Sequence, residues 1–304
     1  MPSSPLAEQV ILITGASSGI GAALARRLAA KFLGIRLVLA ARNQQKLQTV
    51  ATDCEKVGAE VLIVPTDLRQ VEQVKALAQA ALDGFGRVDA LVNNAGYGQM
   101  GPIELIAPED AQQQFAVNFH GPLVLIQSLI PVMREQGSGR IINVSSLGGR
   151  IPFPAGGMYS ASKFALEALS DVLRMELGAF NIKVSIIEPG PVKTEFFDVA
   201  GDRIDLNVPP SKQRLYHGAI QAIKEIEQQT AALAWSSERV ADVIIRALRA
   251  HHPRSRYVAA TGGTIMLFLM TKVMPRGLVD FFWKRFYRIN QVERDWKNRS
   301  QSVR

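Results

Sequence analysis

Val10-Ile-Leu-Ile-Thr14-Gly15-Ala-Ser-Ser-Gly19-Ile-Gly21 reads as a strand, a glycine turn and the first residues of a helix. The apolar run ends at Gly15, and apolar residues at helical spacing continue over 22–31. Glycines in such a turn let the backbone approach a pyrophosphate, and free N–H groups at the helix start bind it. The spacing Gly15-x-x-x-Gly19-x-Gly21 departs from the common Gly-x-Gly-x-x-Gly arrangement. A strand followed by glycines is often only a turn, so the stretch takes its meaning from the rest of the chain.

The pattern repeats. Ile35–Ala41 is a second apolar run, followed by Arg42-Asn43. Glu60–Thr66 is a third and ends at Asp67-Leu68, and Val88–Asn93 is a fourth that runs into Asn94-Ala95-Gly96. Helical spacing fills Val71–Phe85. Arg140-Ile-Ile-Asn-Val-Ser and Ile182–Glu188 continue the series, with Tyr257–Ala260 as a last strand. Alternating strands and helices at about 25–30 residues per unit imply right-handed crossovers and a parallel sheet. The predicted fold is therefore α/β: one Rossmann-type, doubly wound parallel sheet of about seven strands over residues 1–260, helices on both faces. The strand C-termini carry Thr14-Gly15, Arg42, Asp67, Asn93-Asn94 and Ser146, so they share the sheet edge where ligands bind in such folds. The second strand ends without the carboxylate that would hold a ribose 2′-OH. Arg42 stands there instead, suited to a 2′-phosphate or simply a solvated loop arginine.

A second stretch carries chemistry. Tyr159 and Lys163 are four residues apart in a helical pattern, on one face. An ammonium beside a phenol favours the phenolate and is expected to lower the tyrosine pKa toward neutrality. Ser146 ends an apolar strand and precedes Tyr159 with twelve residues between, where it can hold a substrate oxygen. Pro108–Arg134 reads as largely helical, with Asn118 inside and Pro122 and Pro131 as local breaks. A buried helix asparagine can equally serve a neighbouring backbone group.

The chain has 304 residues, 47% of them hydrophobic, enough for a packed core. A single cysteine, Cys54, excludes an intramolecular disulfide and fits a reducing, cytoplasmic setting. Met1–Gln9 has no apolar signal region, and the apolar clusters fall short of the ~18–20 residues that span a bilayer. Residues 251–304 hold 11 basic and 3 acidic residues, the whole of the +8 net charge. No metal site and no nucleic-acid partner are expected.

Taken together, Thr14-Gly-Ala-Ser-Ser-Gly-Ile-Gly21, Asp67, Asn93-Asn-Ala-Gly96, Asn118, Ser146, Tyr159-x-x-x-Lys163 and Pro189-Gly190 resemble the short-chain dehydrogenase/reductase family in order and distance, over about residues 8–260. Within it, Gly98-Gln-Met-Gly-Pro102 and Met158-Tyr-Ser-Ala-Ser-Lys-Phe-Ala-Leu-Glu167 are similar to the 17β-hydroxysteroid and retinol dehydrogenase branch. The resemblance implies an NAD(P)-dependent oxidoreductase that interconverts carbonyl and alcohol, usually as a dimer or tetramer. It assigns Tyr159 as proton donor, Ser146 as a second hydrogen-bond partner of the carbonyl oxygen, and Lys163 as the residue that depresses the tyrosine pKa and binds ribose. Asn118 would hold a water behind Lys163. Gly15, Ser17, Ser18, Gly19, Ile20 and Gly21 would wrap the pyrophosphate, Asp67 and Leu68 the adenine, and Asn94, Ala95 and Gly96 the adjoining ribose. Pro189, Gly190, Val192 and Thr194 would meet the carboxamide. Ser145 competes with Ser146, one residue too far from Tyr159 for the family pattern. With Arg42, NADP(H) is the expected cofactor and NAD(H) the alternative.

The substrate expected is a small apolar carbonyl or alcohol, of steroid, retinoid or lipid-like kind. Two other functions fit parts of the chain: a 3-oxoacyl-(acyl-carrier-protein) reductase, and a catalytically silent nucleotide-sensing regulator. Residues 195–232 read as a flap over the site. Residues 261–304 read as a basic, apolar helical extension, either packed on the body or lying as an amphipathic helix on a membrane surface.

Overall fold

The computed structural model describes residues 5–194 and 214–302. Seven parallel strands form one sheet: β1 (Val10–Thr14), β2 (Arg36–Ala41), β3 (Glu60–Pro65), β4 (Ala90–Asn93), β5 (Gly139–Val144), β6 (Ile182–Pro189) and β7 (Arg256–Ala259). Their spatial order is β3-β2-β1-β4-β5-β6-β7. The chain winds outward from β1 to β3, then crosses back to start the other half at β4. The order therefore reverses between β1 and β4, which opens a crevice above their C-terminal ends.

Both sheet faces are covered, which is why the central strands are buried along their whole length and largely apolar rather than alternating. On one face lie α1 (Gly19–Lys31), α2 (Gln44–Glu55) and the later α9 (Ser237–Arg249); Leu24, Leu28, Leu47 and Ile244 pack there against Ile11, Leu37 and Val92. On the other face lie α3 (Val71–Phe85), α5 (Gly121–Glu135) and α6 (Gly157–Glu176); Leu77, Leu125, Leu129 and Leu173 pack against Leu12, Val38 and Leu91. Arg140, buried at the start of β5, donates to the carbonyls of Ala247 at 2.9 Å and Ala250 at 2.5 Å, satisfying the open end of α9. Ser236 caps the other end of α9, accepting from the Arg239 N–H.

Three expectations change. Pro131 lies inside α5 without ending it, and Pro122 sits in the first turn of α5, where a missing N–H costs little. The irregularity falls between them and α4 (Pro108–Phe115), in a π turn over Ala116–His120 that contains Asn118. Second, the continuous helical run Pro108–Glu135 is long and apolar enough to cross a bilayer. In this fold one side of it packs on the sheet: Leu125, Ile126, Leu129 and Met133 are fully buried against Leu12, Leu91 and Ile141. Third, the predicted flap over 195–232 falls outside the described residues as far as residue 213; beyond it stand α7 (His217–Lys224) and α8 (Ile226–Thr230).

The C-terminal extension is helical: α10 (Gly263–Phe268), a π turn over Leu269–Val273, α11 (Arg276–Phe286) and α12 (Ile289–Ser302). Its inner side packs on the body. Trp283, Phe286, Tyr287 and Ile289 join Ile220 and Ile223 of α7, Phe153 and Tyr159 in a third apolar cluster. Arg288 pairs with Glu225 and Lys284 with Glu293 at 2.7 Å.

Candidate active site

The crevice is built by backbone that tolerates no side chains. Gly15 has φ of 66°, and a Cβ there would lie 2.8 Å from Ala95 Cα. A Cβ on Gly21 would collide with the Gly15 carbonyl oxygen, so this glycine lets α1 start directly against the turn. Thr14 Oγ1 accepts from the N–H groups of Asn94 and Ala95, each at 3.1 Å. Asn94 Nδ2 donates to the carbonyls of Thr14 at 3.0 Å and Gly15 at 3.2 Å. These bonds knit the ends of β1 and β4 together and hold the crevice open at a fixed width.

At the start of α1, Ser18 makes no side-chain cap bond to the helix. The first N–H groups of a helix lack internal acceptors, and here Ser17, Ser18, Gly19 and Ile20 line the cavity. That cradle suits a pyrophosphate. Arg42 and Lys46 line the same cavity beyond β2, with Ala40 and Ala41 at the strand end and no carboxylate. Asp67 and Leu68 line it beyond β3. Asp67 is engaged by Arg69 through a bidentate ion pair, 2.5 Å at its shortest, and the Arg69 hydrogen bonds hold its carboxyl below the usual range.

The catalytic candidates converge deeper in. Tyr159 stands in the first turn of α6 and is 7% exposed, Lys163 one turn later and 4% exposed. Lys163 Nζ donates to the Val144 carbonyl at 2.8 Å and lies 5.9 Å from the centre of the Tyr159 ring. Burial pulls the ammonium down to about 8. Burial also pushes the Tyr159 phenol up to about 12, opposed by a hydrogen bond from the Ser146 hydroxyl. The expected lowering of the tyrosine by Lys163 does not appear here: the ammonium donates to a backbone carbonyl, and desolvation raises the phenol.

Ser146 is the serine that reaches Tyr159. Its Oγ accepts from the Gly148 N–H at 3.0 Å, and a Cβ on Gly148 would sit 3.4 Å from both Ser146 Oγ and the Tyr159 ring. Ser145 is buried instead beside Glu167, in space that Gly149 leaves free. Asn118 lies behind the cavity surface. Its Nδ2 donates to the Tyr97 carbonyl and to Ser162 Oγ, both at 3.0 Å, and its Oδ1 accepts from the Tyr97 N–H at 3.1 Å. It therefore serves backbone, as one reading of the sequence allowed, yet it also touches the site: a Cβ on Gly96 would meet Lys163 Nζ at 3.2 Å and Asn118 Oδ1 at 3.3 Å. The π turn is what aims Asn118 sideways at this loop.

One cavity of about 1010 Å³ joins all of this. Pro189, Gly190, Val192 and Thr194 line it, as do Asn94, Ala95 and Gly96; Gly21 and Asn118 support it from behind. Its outer walls are not legible in the sequence. Phe153, Met266, Phe282, Trp283, Phe286 and Tyr287 close over the space beyond Tyr159. Tyr287 stacks on Phe153 with ring centroids 5.5 Å apart. The aromatic run in the extension is visible along the chain, but no spacing rule ties residue 287 to residue 159.

Beneath Lys163 lies a charged cluster. Arg256 of β7 reaches Glu167 at 3.1 Å, Asp171 at 2.5 Å and Glu188 at 3.3 Å, and Arg150 reaches Glu188 at 2.9 Å. Burial, then the Glu188 charge, pushes the Glu167 carboxyl up to about 7. No cluster of three metal-ligating side chains occurs among the described residues.

Residues 9–204 match the family model described as short chain dehydrogenase. The uncharacterized oxidoreductase YbbO of Escherichia coli K12 is 33% identical over 278 residues, spanning 90% of this chain and 93% of that protein. Human 17-beta-hydroxysteroid dehydrogenase type 1 is 35% identical over 263 residues, 83% of this chain and 77% of that one. A short-chain dehydrogenase/reductase from Burkholderia phymatum, solved with NAD, superposes with a TM-score of 0.76 at 29% identity, covering 86% of this chain and 92% of its own.

Proposed function

The chain belongs to the short-chain dehydrogenase family and is an NAD(P)-dependent oxidoreductase, and from that premise we propose that it interconverts a carbonyl and an alcohol on an apolar substrate, using NADP(H), with Tyr159 as acid and base. The observation that carries the reading is the placement of the Tyr159 and Ser146 hydroxyls in one cavity with the Gly15–Ile20 cradle, under an aromatic wall.

The residues present fit a dinucleotide: open helix N–H groups at Gly19 and Ile20, glycines where a Cβ would block approach, and two basic side chains, Arg42 and Lys46, beyond β2. Bound there, the nicotinamide supplies or accepts the hydride. The protein does the rest. Ser146 and Tyr159 hold the substrate oxygen, and the Tyr159 phenol passes its proton to that oxygen in reduction and recovers it in oxidation. A phenol that burial holds near 12 is a poor base alone. Lys163, whose ammonium burial weakens, stabilises the phenolate as it forms once its hydrogen bond to Val144 yields. Asn118 fixes the loop carrying Gly96 and Tyr97 against Lys163. Phe153, Trp283 and Tyr287 exclude water and offer an apolar bed.

Preference for NADP(H) over NAD(H) rests on Arg42 and Lys46 with no strand-end carboxylate to repel the phosphate. The lone cysteine, buried in α2 and inert, fits a cytoplasmic enzyme, and the fold is proposed to work as a homo-oligomer. We further propose that residues 1–260 form one catalytic domain and that residues 261–304 extend it. The test is NADPH oxidation with a panel of steroid, retinoid and long-chain ketones and aldehydes beside acetoacetyl thioesters. Turnover of the apolar carbonyls is expected. Turnover of the thioesters alone would replace this reading with the carrier-protein reductase, and cofactor binding without any turnover would replace it with the silent sensor.

A further inference from the structure

Among the described residues, the C-terminal helices leave one apolar face exposed, and residues on their other side line the cavity. In α10 and its π turn, Ile265, Phe268, Leu269 and Lys272 follow helical spacing; in α11, Leu278, Phe281 and Arg285 repeat it. Ile265 is 67% exposed, Phe268 59% and Phe281 65%. Single exposed apolar residues are ordinary, but six large ones outside the cavity lining fall between Ile265 and Phe281: Ile265, Phe268, Leu269, Val273, Leu278 and Phe281. Lys272, Arg276 and Arg285 are exposed among them, and none has a carboxylate partner among the described residues. The inner sides of the same helices wall the cavity, through Met266 on one and Phe282, Trp283 and Phe286 on the other.

We propose that this face docks on an anionic lipid bilayer and that the cavity opens against it, so that the apolar substrate enters from the lipid. The second half of the proposal rests on the apolar-substrate reading above. Charge selects the occupant. Residues 251–304 carry 11 basic and 3 acidic residues, so a second copy meeting this face would bring two positive surpluses together, whereas anionic headgroups complement it. Length fixes the mode. Gly263–Val273 and Arg276–Phe286 each give about 16 Å of helix, half of a ~30 Å hydrocarbon core, so they lie in the interface. The basic residues spaced with the apolar ones then rest at the headgroup level.

The experiment is flotation of the full chain with phosphatidylcholine vesicles and with vesicles containing phosphatidylglycerol, at low and high salt. Binding to the anionic vesicles alone, weakened by salt, is expected. Replacing Lys272, Arg276 and Arg285 together by Gln should cut partitioning on the order of 10²-fold. The pair Phe268→Ser and Phe281→Ser should abolish it, while thermal stability and turnover of a short water-soluble ketone stay unchanged, since neither phenylalanine lines the cavity. Absence of flotation, or flotation indifferent to both variants, overturns the docking. So does self-association that the Phe pair abolishes, or capture of an acidic carrier protein without vesicle binding. Anionic flotation together with no turnover of any apolar ketone upholds the surface and sinks the substrate reading. A rise in turnover of a vesicle-dissolved ketone, lost in the variants, supports entry from the lipid.

Discussion

Tyr287 stacks on Phe153, their ring planes 14° from parallel and their centroids 5.5 Å apart, which brings the C-terminal extension onto the loop that precedes Tyr159. Trp283 lies 6.3 Å from the same Phe153 ring. The extension is therefore a wall of the cavity that holds Tyr159. Tyr287→Ala should raise KM for large apolar ketones roughly 10–150-fold, the effect of losing one buried aromatic contact of about 1.5–3 kcal/mol, and leave kcat for a small ketone nearly unchanged. Steady-state kinetics with a steroid ketone and a short aliphatic ketone check it. An equal loss for both substrates would mean that the stack only stabilises the fold.

Tyr159→Phe keeps the ring in its apolar cluster and deletes the hydroxyl beside Ser146. Turnover should fall at least ~10²–10⁴-fold, the usual cost of losing a general acid. NADPH binding, followed by cofactor fluorescence, should survive, and near-full turnover in the variant would remove Tyr159 from the mechanism.

Arg42 and Lys46 both line the crevice beyond β2. A charge-assisted hydrogen bond to phosphate contributes about 1.5–3 kcal/mol, or roughly 10–150-fold. Arg42→Ala should lower kcat/KM with NADPH by that factor and spare NADH. A wild-type preference for NADH, or an unchanged ratio in the variant, refutes the assignment.

Gly21→Ala would drive a Cβ into the Gly15 carbonyl, which is backbone and has nowhere to go. Destabilisation of about 1–3 kcal/mol is expected, with loss of the thermal shift that NADPH gives the unmodified protein. Retention of that shift would show that α1 can slide without disturbing the cradle.

Glu167 gains a pH dependence from its burial. Its carboxyl stands at about 7 in the folded chain against 4.5 unfolded. Between those values the folded state keeps a proton that the unfolded state releases, so this group makes stability fall as pH rises from 4.5 to 7, by at most about 1.4 kcal/mol per pH unit. Glu167→Gln, with Arg256 still paired to Asp171 and Glu188, should flatten the curve in that window. Denaturant unfolding across pH measures it, and an identical slope in the variant would mean that Glu167 is ionised throughout.

The sheet was legible because parallel strands buried on both faces read as continuous apolar runs, and the distance between runs leaves room only for crossover helices. All seven strands fall within two residues of the runs from Val10 to Ala260. The cradle was legible for a related reason: glycine positions report backbone contacts, and those between Gly15, Gly21 and Ala95 are local to two strand ends. Proline, by contrast, misled. Pro131 sits within a helix that packing against the sheet holds intact, and the real break is a π turn that no residue type announces.

The sequence alone determined the fold, the cofactor crevice and which residues gather at its edge, because each follows from periodicity and chain direction. Tertiary structure decided the rest. It gave Ser145, which the sequence had set aside in favour of Ser146, a place of its own beside Glu167, in space that Gly149 leaves free. It set Tyr159 above its ordinary pKa, because desolvation depends on everything packed around the ring and Lys163 found a carbonyl to bind. It also divided the extension into a face packed over the cavity and a face left exposed, a division that depends on where Phe153 and α7 lie in space rather than on any spacing along the chain.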